Sequence, residues 1–550
     1  MVILRGVARA ARHAIKRPPR TVRAREAALR VYVVACAVVI GAATVAVTAA
    51  VRNELRGSGV EARAEASPTV PVVAGPAPTQ TIAEENAKPG TPGWPVTGDA
   101  AAWDKVRGFA DKVSAQRGDS VTLYVSTAAK TFQIDAYRMG YYQGIGARLV
   151  WRSDALPGGV QPAAVVDPAT GMREAPWSPS ATVAIGDDWT PGVYMLELIS
   201  PDGGASYVPL TVRDDSSHAA VILQNSVTTW QAYNGWGGAN LYTGPNFQSS
   251  TRSRVVSFDR PYGGNGSGEY FGREDLLVEQ VEAMGLDVTY TTDVDTHAHP
   301  GLLANHKAFL SGAHDEYWTK EMRDGVEAAR DSGVNLLFLG ANAAFRRIRL
   351  EPSPLGAYRR EVNYRIASDD PLNGIDPARV TTSWRDAPSA RPESSMIGDL
   401  YECNPVNADM VIGESSSWVF AGTGLNDGDK LTKLVGNEYD RVTPEQPTPD
   451  NIEVLAHSPV VCRGLRSFSD MTYYTAPSGA GVFATGTFQV ETHMGRPCDD
   501  ASKVLDCQVR TMMTNVLLAF AAGPAGVTHP SKNNLAHFGI HRGYVNPAPR

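Results

Sequence analysis
The chain has 550 residues and a formal net charge of −7, with 43% hydrophobic and 20% charged residues, enough for two or three domains. The charge is uneven: residues 1–30 carry nine Lys/Arg against one Glu, and the remainder carries 42 Lys/Arg against 57 Asp/Glu. The body is therefore acidic, which excludes nucleic-acid binding by phosphate neutralisation.

Residues 1–30 read as a basic cytoplasmic arm. Val31 to Val51 is 21 residues without a charge, flanked by Arg30 and Arg52, long enough to cross a bilayer as a helix. The basic flank precedes it, so the expectation is a single-pass cell-membrane protein with its body extracytoplasmic. A cleaved signal peptide is the alternative, against which the long apolar run argues. Residues 52–93, rich in Ala, Pro, Thr, Val and Glu, read as a disordered tether.

Residues 94–214 look all-β. The runs 121–127, 131–139, 147–153, 181–186, 192–200 and 207–212 are alternating or β-rich and separated by Gly, Pro and Asp, a spacing that predicts an immunoglobulin-like β-sandwich. From Ala219 the period changes. AAVILQNS is a continuous apolar strand, REDLLVEQVEAMG an amphipathic helix stopped at Gly285, and LDVTYTT a strand. KAFLSG is a strand leading to a helix capped by Thr319, and VNLLFLGAN is another strand. This alternation predicts that residues 215–550 form an α/β domain with a doubly wound, mostly parallel sheet.

Four of the five cysteines, Cys403, Cys462, Cys498 and Cys507, lie outside the apolar span. An even number there predicts two disulfides. Of the three connectivities, Cys498–Cys507 with Cys403–Cys462 is favoured, because the former closes a short polar loop.

The informative segments fall at strand ends: TTWQAYNGWGG (228–238), DVDTHAH (293–299), GAHDEYW (312–318) and GANAAFRR (340–347). In a parallel sheet such ends converge on one crevice, which brings Tyr233, His314, Glu316 and Asn342 within reach of one another. The connection Thr228–Gly272 is long and aromatic, as binding loops are. No cysteine stands at a strand end, so the chemistry on offer is acid–base work by histidine and carboxylate, or metal-assisted attack by water. Glu316, tyrosine phenolates and histidine are the candidate ligands, and hard oxygen donors favour ferric iron. Asp293, Asp295, His297 and His299 form a second cluster, preferred here as a solvated loop with Asp turn residues.

VTTWQAYNGWGGANLY, VVSFDRPYGG, DVTYTTDVDTH, SGAHDEYW, NLLFLGAN and LVGNEYDRV, in that order, resemble the C-terminal catalytic domain of the N,N-dimethylformamidase large (beta) subunit family. YRMGYYQGIGARLVW (137–151) resembles the sandwich before it. The resemblance fits a glutamine-amidotransferase-like α/β domain, and it implies amide hydrolysis at a mononuclear iron held by two tyrosines and one glutamate. Glu316 of HDE and Tyr233 of TWQAYN are the ligands it implies. Tyr262 of DRPY is the choice for the second tyrosine, with Tyr194 and Tyr242 as alternatives. It also implies His314, Asn342 and Glu438 of GNEYD beside the iron. The chain departs from the family in its apolar span, its tether and the pair Phe345-Arg346, where many relatives have two aromatics, so the substrate need not be a formamide.

The expectation is a membrane-anchored, iron-dependent hydrolase of small amide C–N bonds, with homo-oligomerisation left open. The alternatives are a non-catalytic surface protein that binds cell-wall or carbohydrate material through its aromatic loop, and a metal-free hydrolase using His314 and Glu316.

Overall fold
The computed structural model describes residues 81–541 apart from 444, 496–497 and 499–503. The first described element, the helix Ile82–Asn86, falls within the expected tether. Thr81 caps it by accepting from the Glu84 amide, while Glu84 accepts from the Thr81 amide. Asn86 Oδ1 then accepts from the backbone amides of Tyr141 and Tyr142, which fastens this segment to the sandwich.

Residues 106–213 form two facing sheets. One contains Val106–Ala110, Ser120–Thr127 and Ala181–Ala184; the other contains Ser114–Gln116, Gly204–Arg213, Gly192–Ser200, Thr131–Met139 and Ala147–Arg152. Period-two alternation sends Val121, Leu123 and Val125 of the first sheet into one core with Ile134, Leu196, Leu198 and Leu210 of the second. Each such side chain contributes about 1.5–3 kcal/mol when fully buried. The outer face is not left to solvent. Tyr137, Met195 and Tyr207 share a second core with Val221, Leu223 and Tyr290 of the sheet that follows.

That sheet has seven strands, in the order Val288–Thr292, Val221–Asn225, Ala308–Ser311, Asn335–Phe338, Gly481–Ala484, Leu465–Thr475 and Glu453–Cys462. The first five pair in parallel, and every residue in them is buried, as expected of a sheet covered on both faces. The last two add antiparallel.

The expected doubly wound, mostly parallel α/β domain is thus corrected: the sheets are mixed, and strand outweighs helix in the fold. The physical reason lies in residues 339–480. A crossover helix would be needed there to continue the winding. The chain instead lays down Arg346–Ser353 and Gly356–Val362, then the long pair Leu400–Val411 and Lys430–Arg441, then the antiparallel hairpin that joins the sheet edge. Among the described residues, only Asp275–Ala283 and Lys320–Asp331 are crossover helices of more than two turns.

The expected single-pass membrane topology is also withdrawn. No helix among the described residues is long and apolar enough to cross a membrane, and residues 31–51, on which that expectation stood, lie outside the described residues. Both favoured disulfides are present, Cys403–Cys462 and Cys498–Cys507. The first ties the strand Leu400–Val411 to the sheet edge.

Candidate active site
Between the strand Ala308–Ser311 and the short strand Tyr317–Thr319 the chain makes a tight bend that carries His314, Asp315 and Glu316. Ala313 sits there at φ 35°. Gly340 crosses close by, and a Cβ on it would run into the Ala313 carbonyl oxygen; no side chain fits.

Asp315 clamps the bend from inside. Its Oδ2 accepts from Ser311 Oγ at 2.7 Å and Gln224 Nε2 at 2.9 Å, and its Oδ1 accepts from Trp318 Nε1 at 2.6 Å. Burial pushes Asp315 up to about 6. Asp293 is pushed well up by burial and then by Asp315. Both therefore hold protons in the fold that the unfolded chain releases near pH 4. Stability tied to the Asp315 proton is full below pH 4 and is lost as pH rises through about 6. Asp293→Asn, which keeps an acceptor for Thr228 and a donor toward Asp315, is expected to stabilise the protein by about 1–3 kcal/mol at pH 8 and by much less at pH 5. Denaturant midpoints at the two pH values test this; a pH-independent difference would count against protons held by the buried pair.

With Asp315 held inward, the fully buried Glu316 projects into a cluster of oxygen atoms. Tyr233 Oη donates to Glu316 Oε2 at 2.7 Å, and Tyr242 Oη lies 3.2 Å from Oε1 and 3.4 Å from Oε2. The two phenol rings stack at 4.5 Å between centroids. Their meeting is a local matter. Tyr233 ends the helix Val227–Tyr233, and the chain reverses through Gly237 and Gly238, both at positive φ. Asn240 then staples the turn, donating to the Tyr233 carbonyl and accepting from the amides of Tyr242 and Thr243. Parallel pairing of Tyr317 with Arg346 brings Arg346 Nε to 3.4 Å from Glu316 Oε1. Burial opposes the charge on Glu316, but His314, Arg346 and Tyr233 together hold its carboxyl below the usual range.

His314 Nε2 faces the same carboxylate at 3.6 Å and has no hydrogen-bond partner, while Nδ1 lies 2.9 Å from Glu269 Oε2. Burial works against the imidazolium, yet Glu269 and Glu316 raise it to about 9. Asn342, at φ 55°, donates Nδ2 to Glu438 Oε2 at 2.8 Å, and Asn404 Nδ2 donates to Glu438 Oε1 at 2.6 Å. Asp440, two residues along the strand and on the same face, accepts from the Asn342 amide. Burial and then Glu316 push Glu438 up. A cleft of about 540 Å³ reaches this cluster; Asp104 and Arg107 line one part, and Trp230, Tyr233, Trp236 and Glu269 another.

The structure therefore joins Tyr233, His314 and Glu316 in direct contact, with Asn342 and Glu438 linked to each other. It does not bring in Tyr262, which packs edge-on to Trp230 at 6.5 Å and has no hydrogen bond or ring contact with Glu316. Tyr194 stacks on Trp189 and donates to the Thr190 carbonyl, inside the sandwich core. Tyr242, the other alternative, is the second tyrosine in contact with Glu316. The cluster at 293–299 is not the solvated loop expected. Asp293 and Asp295 are buried and bonded to Thr228, Ser114 and Thr292, and among the described residues no group of three or more His, Cys, Asp or Glu side chains is placed to hold a metal. Glu269 and Arg365 were not anticipated. Both sit in irregular stretches where neither period nor motif marks a residue.

No curated protein matches the chain. Among solved structures, an uncharacterized protein from Bacillus anthracis str. Ames is 11% identical over 19% of this chain and 82% of its own, with a TM-score of 0.13. A Paenibacillus sp. cycloisomaltooligosaccharide glucanotransferase complexed with cycloisomaltoheptaose is 10% identical over 49% of this chain and 35% of its own, with a TM-score of 0.14. Likenesses at that level carry no argument about the site. The family described as N,N-dimethylformamidase beta subunit-like, C-terminal, matches residues 133–500, from the strand Thr131–Met139 of the sandwich through every residue of the cluster. The chain belongs to that N,N-dimethylformamidase beta subunit-like family and is, in general terms, a dimethylformamidase-like hydrolase.

Proposed function
We propose that the chain hydrolyses the C–N bond of small amides with one ferric ion held by Tyr233, Tyr242 and Glu316. The observation that carries this reading is the meeting of two phenol oxygens on one buried carboxylate. Burial and Glu316 push both phenols up, so as free groups they keep their protons. Phenolate and carboxylate oxygens are hard donors and suit a hard cation in place of those protons. When bound, such a cation supplies Lewis acidity toward an amide carbonyl.

The remaining roles fall to the chain's own groups. Glu438, held by two amides and pushed up by burial, is suited to take a proton from the attacking water. His314, oriented by Glu269 through Nδ1, keeps Nε2 free to protonate the leaving nitrogen. Asn342 has committed one N–H to Glu438, and its other N–H is left for a developing oxyanion. The cleft is of a size to admit a small ligand.

The test is formate release from N-methylformamide by the full chain. Turnover that disappears with a chelator and returns with added iron is the expected outcome. Turnover that survives the chelator would instead favour a metal-free hydrolase built on His314 and Glu316. Absence of both turnover and metal would favour a binding protein.

A further inference from the structure
Arg365 and Arg346 lie against Tyr242 and Glu316, and Arg252, beside Arg254, is close enough to feel their charge. Arg365 lies 3.9 Å over the Tyr242 ring, and its Nη2 is 3.5 Å from Tyr317 Oη. Arg346 Nη1 donates to Ser383 Oγ at 3.0 Å, with Nε beside Glu316 as described. Arg252 donates to the Tyr364 carbonyl, and Arg254 donates to the Arg252 carbonyl. Burial, together with the like charges of Arg254, Arg365 and Arg346, pushes Arg252 down to about 10. The Nε atoms of Arg346 and Arg365 are buried without a hydrogen-bond partner.

Some buried arginines elsewhere in the chain are matched with acids, Arg138 with Glu282 and Arg359 with Asp259, while Arg260 and Arg347 are satisfied by uncharged oxygens. Here, among the described residues, no carboxylate lies in ion-pairing distance of Arg252, Arg254 or Arg365, and Arg346 has Glu316 alone. The neighbouring acids do not make up the difference. Glu361 has no partner on either oxygen, and burial pushes it well up, so it pairs with none of them. Glu438 bonds to the uncharged amides of Asn342 and Asn404 and ion-pairs with none of these guanidinium groups. A trivalent cation with two phenolates and one carboxylate is neutral as a unit, so it would leave the excess positive charge where it is. Like charges held together at reduced dielectric repel strongly, and a guanidinium fork fits a carboxylate.

We propose that the missing negative charge belongs to the substrate: an amide that carries a carboxylate, gripped by Arg346 and Arg365 as specificity-determining residues. This rests on the reading of the site as an amide hydrolase. For N-formylglycine the reaction adds water across the C–N bond. The formyl carbon leaves with the water oxygen as formate, and the nitrogen gains a proton and leaves as glycine.

The experiment compares N-formylglycine with its neutral isostere N-isobutylformamide, using the iron-loaded full chain, and measures both kcat/KM and calorimetric binding. Succinamate against 4-methylpentanamide repeats the comparison with the charge on the acyl side. The expected result is a preference for the charged member of at least one pair on the order of 10- to 100-fold. The preference should weaken with added salt and collapse toward unity in Arg365→Met and in Arg346→Met. Because the readout is a ratio, loss of overall activity in a variant does not obscure it, and the wild-type ratio stands without any variant. Hydrolysis of the neutral members with no preference for charge would overturn this inference and leave the hydrolase reading intact. Tight binding of a charged member without hydrolysis would support it while contradicting the hydrolase reading. Binding of neither member would overturn both.

Discussion

Glu316→Gln is expected to lower kcat/KM for N-methylformamide by about 10³-fold or more, the loss of several kcal/mol of transition-state stabilisation. Gln is nearly isosteric and still offers an oxygen to the two phenols that now donate to Glu316 at 2.7 and 3.2 Å. What it cannot supply is the negative charge that Arg346 and His314 face. The fold should persist, because the bend is held by Asp315, whose partners are Ser311, Gln224 and Trp318 rather than Glu316. Kinetics beside a thermal melt separate the two effects. Near-native kcat/KM in a folded Glu316→Gln protein would remove Glu316 from the chemistry.

The second large effect is on stability. Arg138, on the strand Thr131–Met139, reaches Glu282 on the helix Asp275–Ala283 through two contacts, at 2.7 and 3.1 Å, and neither side chain is exposed. Glu282 also accepts from Tyr290 Oη at 2.6 Å and Asn86 Nδ2 at 2.8 Å, so one buried carboxylate joins the sandwich, the central sheet and the first helix. Gly140 makes room for it, since a Cβ there would meet Glu282 Oε2. Arg138→Met leaves that carboxylate buried with neutral donors only, which costs about 3–5 kcal/mol. Adding Glu282→Gln to Arg138→Met is expected to restore part of the loss. If the double variant loses the sum of the two singles in denaturant titrations, the pair is not coupled.

These two sites also mark how far the sequence could be read. Glu316, Tyr233, His314 and Asn342 each follow a run of apolar residues, and a run buried on both faces announces a parallel strand whose end can carry a ligand site. Tyr242 needed more. It reaches Glu316 only because Asn240 reverses the chain onto Tyr233, and the same letters without that turn would allow Tyr262 equally well. Glu269 contacts His314 across 45 residues from a loop without period. The direction in which the hairpin Glu453–Thr475 adds to the sheet is set by pairing between distant residues. A one-dimensional pattern records that a strand exists and not which edge it joins. The Arg138–Glu282 pair was invisible for the same reason: each charge alone reads as surface.

The central claim is that Tyr233, Tyr242 and Glu316 together hold one hard cation. Its most direct test is iron content by elemental analysis, together with the visible phenolate-to-metal absorption, in the wild-type chain, Tyr242→Phe and Tyr262→Phe. About one iron per chain with a visible band is expected in the wild type and in Tyr262→Phe, and a lost or strongly shifted band in Tyr242→Phe. A wild-type protein that takes up no iron when offered it, or a band that vanishes with Tyr262 and survives without Tyr242, would contradict it.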